Sequence, residues 1–421
     1  MAVTAESVVD LCRRARAASH DLPTVPGEVK DEALRRTADL LRERTPEILA
    51  ANLTDLERGR EDNLPASLVD RLSLDATRVE AMAVGVEAVI ALPDPVGEVR
   101  QERTLPNRIH LVQVSVPIGV VAVFYEARPN VTIDAAALCV KSGNAVLLRG
   151  SSSASASNAV LGGIVREAVA AVGMPEGTVE VVGGGDRAEL AELAGQREYV
   201  DLIIPRGGEG LKKALEEVAK VPVLYAASGN CHVYVDADAD LDMGRAIAFN
   251  SKVQRPSVCN SAETLLVHRD VAAEFLPQAL AELAEAGVEL VGDDATRAAA
   301  GATEVGAATE EDWDTEYHAL KLAVKVVESL DEAIDHVNRH GSGHSEAIVT
   351  ESQEAGDAFT RAVDTACVYV NASIRFSDGF EFGMGAEIGT STQKLHARGP
   401  IGLRELTSTK YVLHGSGQVR G

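Results

Sequence analysis

Residues 108–124 read RIHLVQVSVPIGVVAVF, and two different strand patterns meet inside them. Up to Val116 apolar and polar residues alternate, the period-2 signature of a strand with one wet face. From Ile118 to Phe124 the run is continuously apolar, as in a strand buried on both sides. Downstream, short apolar runs and helical runs take turns. Ala145–Leu148, Val179–Val182, Leu202–Ile204 and His232–Val235 read as strands, and Ser157–Val172, Arg187–Ala194 and Gly210–Ala219 as the helices between them. Buried strands separated by crossover helices predict a parallel α/β sheet. The rhythm restarts after Asp242, with strands expected at Thr264–Val267, Val288–Val291, Leu322–Val326, Ala347–Val349 and Cys367–Val370. One open sheet of about ten strands is rare, so the second run predicts a second α/β domain.

Upstream, the first hundred residues read as helices. Leu34, Ala38 and Leu41 share one face, with Arg35, Arg36, Asp39 and Arg42 on the other. Thr45-Pro46 marks a helix start by an N-cap followed by proline, and a helical stretch is expected over about residues 68–92, closed by Pro93 and Pro95. The tail from Lys394 is polar, with a final alternating stretch at Lys410–Leu413.

Length and charge bound the function. A chain of 421 residues is ample for two or three domains. A net charge of −24 argues against a duplex-DNA or anionic-membrane binder, either of which needs a basic face. Aromatics at 4% leave few stacking platforms for single-stranded nucleic acid. No apolar signal core precedes Arg16, and the longest run without Asp, Glu, Lys or Arg, Ile109 to Tyr125, is too short and too polar to span a bilayer. Five scattered cysteines without CxxC spacing reject a disulfide framework or a zinc ribbon and point to a reducing, cytoplasmic setting.

Several segments carry chemistry. The serine-rich turn after Arg149, Gly183-Gly-Gly-Asp186 and Arg206-Gly-Gly-Glu-Gly210 each end a strand and open a helix. Such turns suit a phosphate or serve as plain loops, and none fits GxGxxG or a P-loop. Cys259 lies in QRPSVCN (254–260), at the seam between the two α/β runs. A thiolate there, beside Arg255, is a candidate nucleophile, the alternative being an inert buried thiol. His336, His340 and His344 recur every fourth residue, but Gly341 and Gly343 break the helix a metal site would need, so no metal is expected. The loop they share is read instead as a place for an anion or a polar substrate group.

Four blocks then resemble the gamma-glutamyl phosphate reductase family of the aldehyde dehydrogenase superfamily: AIDHVNRHGSGHSEAI (333–348), YEARPNVT (125–132), QRPSVCN (254–260) and FGMGAEIGTSTQKLHARG (382–399). The resemblance spans essentially the whole chain. It implies an aldehyde-dehydrogenase-like fold of two Rossmann-like α/β domains plus a β oligomerisation flap. The NADPH-binding domain would take residues 1–103 and 117–232, the catalytic domain 233–385, and the flap 104–116 and 386–421. The implied reaction is NADPH-dependent reduction of L-glutamyl 5-phosphate to glutamate 5-semialdehyde with release of phosphate, the second step of proline synthesis from glutamate. A small-molecule acyl phosphate substrate, a homo-oligomer and transient contact with a glutamate 5-kinase follow from the same resemblance.

By resemblance Cys259 is the nucleophile that forms a thioester. Superfamily members that hydrolyse the thioester carry a glutamate base, and the alignment puts Ala226 there, which favours phosphate-coupled reduction over hydrolysis. Glu126 falls where the superfamily has an oxyanion-stabilising asparagine; a carboxylate does not donate unless protonated, so the Cys259 backbone N–H with another donor such as Asn130 is expected instead. Arg149, Ser151, Arg206, Gly207 and Glu316 are the expected cofactor contacts, with Arg149 toward the 2′-phosphate and Glu316 toward the nicotinamide ribose. Arg128, Arg255, Ser257 and His344 are the expected substrate contacts. Two rivals remain: a hydrolytic aldehyde dehydrogenase, and a catalytically silent scaffold for a kinase partner.

Overall fold

The computed structural model describes residues 7–183, 186–225 and 229–420. It divides into two compact units, one of residues 1–225, 383–389 and 401–421 and the other of residues 226–382 and 390–400. Among the described residues no helix is long and apolar enough to cross a membrane.

The first unit opens on the helices Val8–Asp21, Gly27–Glu43, Thr45–Glu61, Ala66–Leu72 and Ala76–Ala91. The single helix expected over 68–92 is therefore two. Asp75 breaks it, extended in backbone and accepting the N–H of Arg78 at 2.7 Å, so its carboxylate caps a new helix start. Thr45 opens its helix as expected but is not the cap, because its hydroxyl donates back to the Leu41 carbonyl.

After a hairpin of β1 (Val99–Thr104) and β2 (His110–Pro117) come the buried strands β3 (Val120–Tyr125), β4 (Ala145–Arg149), β5 (Val179–Val182) and β6 (Leu202–Arg206). The last four make a parallel sheet in the order β5-β4-β3-β6. Strand order reverses between β3 and β6, and ligands of such sheets bind outside the carboxyl ends at that reversal.

The second unit holds β7 (Cys231–Val235), β8 (Ala262–His268), β9 (Glu289–Gly292), β10 (Gly306–Ala307), β11 (Lys321–Val327), β12 (Ser345–Val349) and β13 (Cys367–Val370) in the order β10-β9-β11-β8-β7-β12-β13, all parallel. The strand read at His232–Val235 thus belongs to this sheet and not to the first, and the division falls near 225 rather than 232. A buried apolar run does not say which sheet will accept it; pairing with β8 and β12 does.

One face of this sheet packs Val233, Val235, Leu265 and Val267 against Phe275, Leu276 and Leu280 of the helix Arg269–Glu285. The other packs Tyr234, Leu266 and Ile348 against Val337 and Phe359, from the helices Leu330–His340 and Gln353–Ala362. A short antiparallel pair, β14 (Thr390–Ser391) and β15 (Gly399–Pro400), completes the unit. Back in the first unit, β16 (Thr407–His414) pairs with β2, giving an antiparallel sheet β1-β2-β16 outside the parallel one.

Candidate active site

In the second unit, Pro256 keeps the helix Leu241–Val253 from running on, and the chain turns through residues 254–261 before entering β8. The turn closes where Ser261 N–H bonds the Val258 carbonyl, leaving Cys259 half-buried at the amino end of β8. Cys12, Cys139, Cys231 and Cys367 are all buried.

The wall beside the thiol is backbone. A Cβ on Gly229 would stand 1.5 Å from the Cys259 carbonyl oxygen, so only glycine fits there. The Gly229 N–H donates to Glu316 Oε1 at 2.6 Å, and the Cys231 thiol donates to the Cys259 carbonyl at 3.2 Å. Burial pushes the Cys231 thiol well above its ordinary range, so it serves as a neutral donor. Asn260 Nδ2 donates to the carbonyls of Arg375 and Ser377, at 3.2 and 3.0 Å. Ser377 joins Ser345 and Tyr369 through their hydroxyls.

Beneath this wall lies an ion pair with no exposed surface, Lys252 Nζ to Glu263 Oε2 at 2.5 Å. Desolvation pushes the carboxyl up, to about 7, and the ammonium down, while their mutual attraction opposes both shifts.

Of the expected residues in this unit, Cys259, Arg255, Ser257 and Glu316 gather here. Arg255 and Ser257 are exposed on the nucleophile's own turn, and Glu316 is tied to Gly229. His344 differs. It precedes β12 with no exposed surface, Nδ1 set on the Ser345 hydroxyl at 2.8 Å, so it supports the wall and does not meet a solvent-borne substrate. Its loop lines a cavity of about 330 Å³ with Glu346, paired to His232, and Asp364, paired to Lys394 and Arg398. His336 stacks edge-on against His232 and Trp313, and burial lowers it to about 2.

In the first unit the expected residues collect at the carboxyl edge of β3, β4 and β6. Glu126, which the resemblance set at the oxyanion position, accepts the Gly208 N–H with its Oε2 at 3.0 Å, at the start of the helix Glu209–Val218, a place where an anion belongs. A Cβ on Gly207 would meet that carboxylate at 2.6 Å. Arg206 ends β6 beside them.

Arg149 is buried with Nη2 on the Asp186 carbonyl at 3.1 Å and Nε 3.5 Å from Glu189. The Ser151 hydroxyl accepts the Ala127 N–H. Asn130 is exposed and donates to Asp134 at 3.0 Å; desolvation raises Asp134 to about 6 against the pull of Asn130 and Arg206. Arg128 is half-buried on the loop between β3 and the helix Asn130–Lys141. Ala226 lies outside the described residues, as do Gly184 and Gly185 of the glycine turn.

The residues that sequence reasoning passed over are Gly229, Cys231, Asn260, Arg375 and the Lys252–Glu263 pair. Asn260 stands beside the quoted cysteine and was within reach. The others acquire meaning only through contacts between distant segments.

Known proteins resemble this chain over most of its length. The aldehyde dehydrogenase family profile matches residues 1–321. Gamma-glutamyl phosphate reductase of Thermobifida fusca (strain YX) is 54% identical over 410 residues, covering 97% of this chain and 98% of that one. The enzyme of the same name from Syntrophomonas wolfei is 50% identical, covering 99% of each chain. The crystal structure of gamma-glutamyl phosphate reductase from Thermotoga maritima superposes with a TM-score of 0.95 at 45% identity, covering 99% of this chain and 100% of that one. An acetylating aldehyde dehydrogenase from Geobacillus thermoglucosidasius shares the fold at a TM-score of 0.70 and 18% identity, over 98% of this chain and 97% of that one.

Proposed function

The chain belongs to the aldehyde dehydrogenase family, and within it to the gamma-glutamyl phosphate reductases; from that membership we propose that it reduces L-glutamyl 5-phosphate to glutamate 5-semialdehyde through a thioester on Cys259, with NADPH as the reductant. The observation that carries the reading is the half-buried thiol at the amino end of β8, walled by Gly229 and backed by residues that only buttress it. Cys259 attacks the acyl carbon, the bond to phosphate oxygen breaks, and the thioester forms. The Cys259 backbone N–H is the oxyanion donor on the nucleophile itself. Arg255 and Ser257 serve the phosphate end of the substrate, and Arg128 and Asn130 are kept as substrate and oxyanion donors.

The crevice between β3 and β6 fits a nicotinamide cofactor. The helix start at Gly208 offers its backbone N–H to an anion, a place that the Glu126 carboxylate takes in this structure and would have to yield to a cofactor phosphate. In the first unit Gly207, Arg206 and Ser151 would hold the cofactor's phosphates, with Arg149 acting on the adenosine side; the family resemblance keeps Glu316 as a contact to the ribose. When bound, the cofactor supplies the hydride that reduces the thioester. Preference for NADPH over NADH is checked by comparing kcat/KM for the two.

The antiparallel sheet β1-β2-β16, with Tyr411 and Leu413 exposed on its last strand, supports a homo-oligomer built on that sheet. A cytoplasmic setting and brief contact with a glutamate 5-kinase suit a labile acyl phosphate.

The test is NADP+ reduction by the purified protein with glutamate 5-semialdehyde, with and without inorganic phosphate, alongside Cys259→Ala. Turnover requiring both phosphate and Cys259 supports the reading. Turnover without phosphate makes water the acceptor and the protein a hydrolytic dehydrogenase.

A further inference from the structure

We infer that Arg375 is a further catalytic residue of this centre, forming with Arg255 a two-guanidinium anion site beside Cys259 that receives the phosphate as the thiolate displaces it. The inference rests on the reductase reading and adds the group that handles the leaving phosphate.

Arg375 sits in the single turn Ile374–Phe376, and its position is fixed by the nucleophile's own neighbour: Asn260 Nδ2 holds the carbonyl of Arg375 itself and that of Ser377, two residues on. The guanidinium reaches back to the same turn, Nε donating to Gln254 Oε1 at 2.9 Å, next to Arg255. Among the described residues that is its one side-chain hydrogen bond, and neither Arg375 nor Arg255 has a carboxylate within ion-pair distance. The carboxylate that acts on it, Asp378, has its Oδ1 taken by the Phe380 N–H.

This is an unusual arrangement for the chain. Its 64 acidic residues outnumber 40 basic ones, and elsewhere Arg42 and Arg44 each take two carboxylates. Two neighbouring cations left unpaired repel each other, and a half-buried one also loses hydration. Burial, with Arg255 beside it, pushes the Arg375 pKa down, while Cys259 opposes the shift. An anion relieves both.

The chemistry supplies one. The thiol proton passes to solvent before attack; the sulfur–carbon bond forms, the acyl carbon–oxygen bond breaks, and its electron pair leaves on inorganic phosphate. Charge grows on the departing oxygens, where planar, forked guanidinium donors act best.

The test uses the full chain and inorganic phosphate as probe. Because the other four cysteines are buried, iodoacetamide reports on Cys259. Phosphate is expected to slow alkylation of the wild type, and Arg375→Gln is expected to lose that protection. In the reverse reaction the variant's phosphate KM should rise about tenfold or more, the scale of one lost charged hydrogen bond, with KM for NADP+ within about twofold. Arg375→Lys, which keeps the charge and loses the fork, should fall between and guards against a misfolded glutamine variant; circular dichroism melts establish folding. Equal protection by phosphate in wild type and both folded variants overturns the inference, as does a wild type that phosphate does not protect. A wild type protected by phosphate yet showing no phosphate-dependent turnover instead sinks the reductase reading.

Discussion

A methyl group at position 229 would stand 1.5 Å from the Cys259 carbonyl oxygen, so Gly229→Ala has to push the nucleophile's backbone aside. Displacement on the scale of 1 Å costs about 100-fold in rate, and kcat for Gly229→Ala is expected to fall by at least about that factor while the protein stays folded. A kcat within about threefold of wild type in steady-state assays would remove Gly229 from the site. Asp134 gives a pH prediction. Its folded pKa, about 6, lies above its unfolded value near 3.8, so the native state holds the extra proton between them. Stability therefore declines as pH rises through that window, and Asp134→Asn should melt higher than wild type at pH 7 and show no such advantage at pH 4. At this scale the sequence offered Cys259 as a candidate, in a polar, proline-bearing turn between two α/β runs, and the family resemblance made it the proposed nucleophile. The sequence was silent about Arg375, whose significance comes from an asparagine grip 115 positions away.

Among the elements, strands buried on both faces were legible as continuous apolar runs; β3, β4 and β8 all begin and end close to the expected positions. β1, with the sequence VRQERT and every residue exposed, offered no hydrophobic pattern and was missed. The break at Asp75 was hidden because apolar residues continue across it, and only the cap chemistry marks it. Asp75→Ala is expected to cost about 1 kcal/mol, read as a lowered melting temperature. The Lys252–Glu263 pair makes a sharper prediction. Removing either partner strands a buried charge and should cost roughly 3–5 kcal/mol, while Lys252→Met with Glu263→Leu together should recover most of that loss. Thermal melts of the two single variants and the double variant test it, and simple additivity would count against a coupled pair.

For the whole molecule, the segments that sequence periodicity left outside the βαβ rhythm, near 110 and near 410, prove to be one sheet, joined across some 300 residues of chain. Truncation after Arg404 removes β16 and should convert the proposed oligomer to monomer by light scattering; an unchanged mass would place the assembly contact elsewhere. The buried ion pair has a consequence for chain length. Lys252 lies one residue before the end of its helix, Glu263 one residue into its strand, and the ten residues between them carry the thiol. With both ends pinned in the interior, that span is a loop of fixed perimeter, with no slack to absorb an added or missing residue. A one-residue insertion at 256 should silence the thiol, whereas the same insertion in the exposed turn at 301–302, whose ends carry no such clasp, should pass almost unnoticed.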